Sequence, residues 1–324
     1  MEHNFVRFLH SRFGAMSMMA IAIIAVVVSY CLGNIEDLPG DTGLWLPSAN
    51  DWMTPGIASM FVNVLLNVLV AGMLVLLNKW FNVLRTMSDL GAGVFLIMQM
   101  SEPSLMGQFY GGTLMCFIVL FSTIVLYCTY NQPYPRQPIF LIFLLLTVGT
   151  MTQYAYIAYI PIFLLGCAQM RIFGWKTLMA AIIGVITPIW IMVGFGFVSF
   201  SSLEVPHYVN IFSALDSHDA LHIISVAAIT GVLAIVMSIL NLLKVFNYNS
   251  KMRAYNGFLL VLSVVTTLMV VIDYTNLSIY IPLLNCCTAF QVGHFFALNR
   301  SKRSYIAILS VILIYVALYC WSLT

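Results

Sequence analysis

The chain has 324 residues, of which 62% are hydrophobic and 7% are charged, and its formal net charge is +2. A soluble globular domain carries about 25% charged residues, so this composition excludes an ordinary soluble domain and predicts an integral membrane protein in a lipid bilayer. The cations are spread over several short loops, and the net charge gives no indication of nucleic-acid binding. We expect residues 1–324 to form a single transmembrane domain with no separate soluble domain.

Apolar runs separated by charged or turn-forming residues predict the transmembrane helices. A helix needs about 20 residues to cross the hydrocarbon core. The first run, after Arg7 and Arg12, is too long for the apolar part of a signal peptide. The predicted fold is all-α, a polytopic bundle of about eleven transmembrane helices. Their approximate spans are 13–33, 57–77, 84–101, 108–130, 138–152, 154–170, 177–199, 220–243, 256–273, 277–298 and 304–323.

The stretch between Arg136 and Arg171 predicts a hairpin of two short helices. It is too long for one crossing of the membrane and barely long enough for two. We expect the chain to turn at residues 150–154, on the side of the membrane opposite to these two cations.

The distribution of Lys and Arg supports this division. With the N-terminus inside, the inner segments contain all 13 basic residues and the outer segments contain none. Positive charge favours the cytoplasmic side, and removing any one span would break the pattern. The sequence thus predicts a multispanning protein of the cell inner (plasma) membrane, with a cytoplasmic N-terminus and the C-terminus outside.

The first outer segment contains two adjacent carboxylates, Glu36 and Asp37. A carboxylate pair that directly follows the first span can act as a general base for an acceptor hydroxyl, or it can bind a metal ion. The alternative is a solvated acidic loop that helps to set the topology.

A second candidate site lies at the outer start of the eighth span. His218 and His222 are four residues apart, so they share one helix face, as paired imidazole ligands of a metal do. Asp219 is adjacent to that face and Asp216 lies one turn below, which predicts a divalent metal site. Alternatively, the acids cap the helix and interact with its dipole, while the histidines lie at the membrane interface.

Uncharged polar residues lie within several spans. Asn63 and Asn67 share a face of the second span, and such groups usually form hydrogen bonds between helices. No Lys, Arg, Asp or Glu is near the middle of a predicted span, which argues against an ion-coupled carrier. The other polar residues within or near the helix ends are Gln99, Gln169, Asn241, Asn285, Gln291 and His294.

Two blocks of sequence carry a family resemblance. The block 140–188 has Gly149 in the first short helix, a Tyr-rich turn, and Ile160-Pro-Ile-Phe-Leu-Leu in the second short helix. Later, Tyr280-Ile-Pro-Leu-Leu is followed by Gly293-His-Phe-Phe and a basic loop. In this order the features resemble an uncharacterised family of bacterial polytopic inner-membrane proteins, a domain of unknown function, and that resemblance implies no activity.

More distantly, the layout resembles the C-type membrane glycosyltransferases that use polyprenyl-linked sugars. Their inside N-terminus, acidic first outer loop and hairpin of short helices are matched here, whereas the short outer loops and the lack of a soluble outer domain depart from them. The resemblance implies that Glu36 or Asp37 deprotonates or orients the acceptor. Trp45, Tyr154 and Tyr156 would stack on the sugar; the alternative is that they form the aromatic belt at the membrane surface.

The leading hypothesis is a protein of envelope biogenesis that transfers a sugar from polyprenyl phosphate at the outer face. The departing phosphate needs a counter-charge, and no outer Lys or Arg can provide it. A divalent metal at the second candidate site is therefore predicted together with the activity. The alternatives are a non-enzymatic scaffold or subunit of an envelope complex, and a carrier for a lipid or a small apolar solute.

Overall fold

The structure is a computed structural model that describes residues 8, 11–35, 43–84, 86, 88–199, 201, 217–299 and 302–324. These residues form helices and no β-strand, which confirms the all-α prediction. The α-helices of the described residues, numbered in chain order, are α1 (Arg12–Leu32), α2 (Ile57–Phe81), α3 (Leu90–Met100), α4 (Ser104–Gly107), α5 (Gly111–Cys128), α6 (Arg136–Thr152), α7 (Tyr159–Gln169), α8 (Trp175–Gly194), α9 (Ser217–Val245), α10 (Ser250–Ile272), α11 (Leu277–Leu298) and α12 (Lys302–Ser322). Short 3-10 helices span Ala49–Trp52, Tyr154–Ala158 and Tyr274–Asn276.

Eight of the helices in the described part of the chain are long and apolar enough to cross a membrane, which makes this a multipass membrane protein. They are α1, α2, α5, α8, α9, α10, α11 and α12. Three shorter apolar helices are α3, α6 and the segment Tyr154–Gln169, in which a 3-10 turn continues into α7. Each predicted apolar run overlaps one of these eight long or three shorter helices.

Helix α3 begins later than its apolar run predicts, and Asn78 explains why. Asn82 ends α2 in the left-handed conformation with φ of 51°, a common helix stop. The Asn78 side chain then accepts from the Leu84 amide at 3.0 Å and donates to the Thr86 carbonyl at 3.0 Å. These hydrogen bonds stabilise a turn at residues where the apolar run 84–101 predicts a helix. Helix α3 is left with 11 residues, about 16 Å of length.

Helix α11 is the centre of the bundle. It packs against α3, α5, α9 and α10. Of the apolar stretch that could cross the membrane, 89% is buried within the protein. Small residues permit close contact of the backbones: a Cβ on Gly293 would lie 3.0 Å from the Gly91 Cα of α3, and a Cβ on Gly112 would lie 2.7 Å from the Ile279 carbonyl oxygen. The other long helices expose more of their surface, as lipid-facing helices do.

A chain of buried amides connects α2, α3 and α11. Gln99 donates to Asn67 at 2.9 Å, and Asn285 donates to Gln99 at 2.8 Å. Asn63 donates to the Leu105 carbonyl at 2.7 Å. The prediction that these polar residues form hydrogen bonds between helices is confirmed, because inside an apolar bundle a neighbouring helix is the available partner.

Candidate functional site

The main candidate site is a buried pair of ionisable residues, Glu102 and His222. Glu102 lies just after α3, and His222 is in the second turn of α9. Their side chains meet at 2.7 Å, between Glu102 Oε2 and His222 Nδ1, and the two residues are 5% and 2% exposed. Charged residues are rarely so buried unless they are paired, which makes this contact the first candidate for a functional or structural role.

The second ring nitrogen of His222 determines how many protons the pair holds. Nε2 lies 3.0 Å from the Leu318 carbonyl oxygen on α12. A carbonyl only accepts, so Nε2 carries a hydrogen. At Nδ1, either an imidazolium donates to the Glu102 carboxylate, or a protonated Glu102 donates to a neutral imidazole. The pair has no net charge in either case, which lowers the free-energy cost of burying it.

Around this pair, four separate segments of the chain come together. The crevice has a volume of about 20 Å³, enough for about one water molecule. Its walls are formed by the segment after α1, the segment after α3, the start of α9 and the end of α12. Besides the pair, the residues that line it are Asn34, Pro103, Ser104, Asp219, Ile223 and Ser322.

The predicted base residues Glu36 and Asp37 lie outside the described residues. Of the last two residues described before them, Asn34 lines the crevice. Ile35 packs on α4, where a Cβ on Gly107 would overlap its side chain. Asn34, which precedes the first predicted site in the chain, and His222 of the second predicted site thus lie at the same crevice.

Two of the four predicted metal ligands share a helix face, as their spacing predicts. The rings of His218 and His222 both approach Trp321 edge-on, at centroid distances of 5.9 and 5.3 Å. His218 Nδ1 also lies 3.2 Å from Asp219 Oδ1, near the surface. His218 and Asp219 therefore form a local pair on the first turns of α9.

The structure leaves little of the predicted metal site available. No group of three His, Cys, Asp or Glu residues within the described ranges could hold a metal ion. Both ring nitrogens of His222 already have partners, and Asp216 lies outside the described residues. The metal stays a prediction, and it now depends on Asp216, His218 and Asp219.

The aromatic residues predicted to bind sugar lie at a second contact between segments. Leu44 and Leu46 donate their backbone amides to the Thr150 and Met151 carbonyls, at 3.3 and 2.9 Å, and Trp45 donates to Met151 at 3.4 Å. The segment 43–46 therefore binds the end of α6, and this brings Trp45 next to the turn that leads to Tyr154. Both of these aromatic residues are half-buried.

Tyr156 occupies a different environment from Trp45 and Tyr154. Its side chain is completely buried, and its ring packs so closely on Gly149 that a Cβ there would overlap it. In this conformation Tyr156 offers no surface to a sugar, and it fixes the 3-10 turn against the end of α6. Its role in substrate binding stays a prediction.

Gln153 is a buried polar residue in the same turn. It is 0% exposed, and neither polar atom of its amide has a hydrogen-bond partner. The amide lies against Gly111, whose backbone N–H donates to Asn50 Oδ1 at 2.7 Å. A buried amide without partners costs about 1–3 kcal/mol, so Gln153 lowers the stability of this turn.

Sequence reasoning missed the role of Glu102. Glu102 directly follows a predicted span, and the residues after it, Pro103-Ser-Leu-Met-Gly, give no sequence signal for the buried turn that they form. Its partner is 120 residues away in the chain, and no local pattern reveals such a contact. The available signal was its position directly after an apolar run.

Comparison of the chain with protein-family models, with curated protein sequences and with solved structures finds no match.

Proposed function

We propose that the protein belongs to the inner membrane and acts in envelope biogenesis, transferring a sugar from a polyprenyl-phosphate carrier at the outer face. The observation that carries the proposal is the crevice at Glu102 and His222, where Asn34, two residues before Glu36, lies beside the buried pair. A transfer site at the membrane surface needs ionisable groups from several segments held in one place, and four segments meet here.

The topology proposed with this function has eleven crossings, with the N-terminus inside and the C-terminus outside. The crevice supports this topology, because the charge pattern places all four of its segments on the outer side of the membrane. These segments lie at the ends of four different helices, and they include Asn34, Glu102, His222 and Ser322. The short helices α3, α6 and α7 then complete three crossings, the last two as a hairpin.

Cysteine labelling tests this topology. In a background without the exposed cysteines Cys31, Cys128 and Cys320, we expect a membrane-impermeant maleimide to label Trp52→Cys from the outside of intact spheroplasts. Ser250→Cys should react only after the membrane is permeabilised. Labelling of both positions from outside would contradict an odd number of crossings between residues 52 and 250.

In the proposed reaction, Glu36 or Asp37 takes the proton from the acceptor hydroxyl. The acceptor oxygen forms a bond to the anomeric carbon of the sugar, and the bond from that carbon to the phosphate oxygen breaks. The electron pair of the broken bond leaves with the polyprenyl phosphate, so charge develops on that oxygen. A metal at Asp216, His218 or Asp219 would stabilise this charge, while the Glu102–His222 pair positions the segments around it.

The second candidate function is a non-enzymatic scaffold, and the small volume of the crevice favours it. A space of about 20 Å³ does not hold a sugar, and Glu102 and His222 are already hydrogen-bonded to each other. In a scaffold this pair would serve only to fasten α3, α9 and α12 together.

Mass spectrometry of lipids and surface glycans separates these two functions. We expect a deletion strain to accumulate a polyprenyl-linked sugar and to lose the glycan made from it, and we expect the wild-type gene to restore both. If Asp37 is the base, Asp37→Asn should restore neither at an equal protein level, and if Glu36 is the base, Glu36→Gln should restore neither, because the amide cannot accept the proton. The matched control is Asp51→Asn, an exposed acid in the same outer segment, which should restore both. Full restoration by Asp37→Asn and Glu36→Gln would leave the scaffold as the function.

A further inference from the structure

A groove between α6 and α8 combines two cations with an apolar floor. Its volume is about 450 Å³ and it is open to the surroundings of the protein. Arg136 and Lys176 line one end, where both helices begin, and Phe140, Met179 and Ile183 line the rest. The two helices come close further along, where a Cβ on Gly184 would lie 2.8 Å from the Phe140 carbonyl oxygen. The groove therefore lies between this contact and the charged end.

The two cations converge on one aromatic side chain. Lys176 Nζ lies 4.7 Å from the centre of the Tyr134 ring, and the Arg136 guanidinium carbon lies 5.8 Å from it. Within the described residues, the ion pairs are those of His218 and His222, so neither cation is neutralised by a carboxylate there. The first turns of α6 and α8 also contain no acidic residue, and the positive ends of both helix dipoles add to the potential.

The groove has the chemistry of a phospholipid with an anionic headgroup. The two cations at the mouth can bind the oxygens of a phosphate group. Arg136 would donate hydrogen bonds from its planar guanidinium, and Lys176 would act as a point charge. The apolar floor matches an acyl chain, and Trp175, 73% exposed beside Lys176, is a residue type found at the level of lipid headgroups. Basic pockets between helices on the cytoplasmic side bind such lipids in other membrane proteins.

We propose that the groove between α6 and α8 is a binding site for an anionic phospholipid, with the headgroup phosphate between Arg136 and Lys176 and one acyl chain along Phe140, Met179 and Ile183. The site lies at the start of the predicted short-helix hairpin and is separate from the Glu102–His222 crevice. It does not depend on the proposed sugar transfer.

Native mass spectrometry of the purified full-length protein tests the site. With equal amounts of phosphatidylglycerol and phosphatidylcholine, we expect the wild-type protein to retain phosphatidylglycerol preferentially. Arg136→Gln/Lys176→Gln should weaken that retention by about tenfold or more, since each basic residue contributes appreciably to the binding of anionic lipid. The matched control is Lys79→Gln/Lys251→Gln, which removes the same charge from two other exposed lysines, one of which, Lys251, also faces aromatic rings. It should retain the lipid as the wild type does.

Two further arms distinguish the lipid from other occupants. Ile183→Trp fills the apolar part and keeps both cations, so it should also weaken retention severalfold. An excess of inorganic phosphate should leave the lipid bound, because phosphate makes no contact with the apolar floor. Equal loss in the two double variants, equal retention of both lipids, full retention by Ile183→Trp, or displacement by phosphate would each overturn the proposal.

Discussion

Replacement of His222 by alanine is expected to lower the free energy of unfolding by about 3–5 kcal/mol, the cost of breaking a buried pair by removing one partner. The variant leaves the Glu102 carboxyl buried with no side chain to bind, and it also removes the donor to the Leu318 carbonyl. Because these contacts join α9 to the segment after α3 and to α12, the loss should affect the whole end of the bundle.

Variants of Glu102 should cost less, in a defined order. In Glu102→Ala the neutral imidazole keeps its bond to Leu318 and loses only the partner of Nδ1. In Glu102→Gln the new amide can donate to Nδ1, so this variant should be the mildest. The double variant Glu102→Leu/His222→Phe removes both ionisable groups and should recover much of the loss, since apolar pairs of similar volume often replace buried ion pairs without cost.

Denaturation in detergent micelles by titration with SDS measures these differences. The control is His218→Ala: His218 is on the same face of α9, but its side chain is 45% exposed and its partner Asp219 is also near the surface, so it should change stability by about 0.5 kcal/mol or less. Equal effects of His218→Ala and His222→Ala would show that the buried pair does not hold the bundle together. Glu102→Gln, if folded as expected, then tests the carboxylate in transfer without loss of the fold.

The helices were largely predictable because their signal is local. An apolar run of membrane length forces its backbone to form internal hydrogen bonds, so α11 begins and ends at the predicted residues, 277 and 298. The buried amides Asn67 and Gln99 were predictable for a similar reason, since a polar side chain within an apolar helix must find a partner on another helix. The exception, α3, was shortened by Asn78, whose bonds to Leu84 and Thr86 depend on a turn and not on hydropathy.

The candidate site was predictable only in part. The spacing of His218 and His222 predicted their common face, because helix geometry fixes it. The partner of His222 was not predictable, since it depends on which helices are neighbours. Four-residue spacing also carries no information on whether a ring nitrogen is free, and here both nitrogens of His222 are engaged. The same limit hid the contact between residues 43–46 and the end of α6.

The contact between residues 43–46 and the end of α6 can be tested with Gly43→Ala. We expect this variant to separate the segment from α6 and to lower the free energy of unfolding by about 1–3 kcal/mol, the usual cost of overpacking. A Cβ at Gly43 would overlap the Met151 carbonyl oxygen, and the atoms in the way belong to backbone and not to a flexible side chain. The chain must therefore move, and the bonds from Leu44 and Leu46 to Thr150 and Met151 are lost.

Hydrogen exchange of the Leu44–Leu46 amides measures this separation directly, and we expect it to be faster in Gly43→Ala than in the wild type. The matched control is Gly56→Ala, a second glycine before α2, where an added Cβ meets nothing within 4 Å and exchange should not change. If Trp45 and Tyr154 bind the sugar together, Gly43→Ala should also reduce transfer in a protein that remains folded, whereas Gly56→Ala should not. Unchanged exchange in Gly43→Ala would mean that the segment 43–46 does not depend on its contact with α6. The predicted joint role of Trp45 and Tyr154 in binding the sugar would then lose its structural basis.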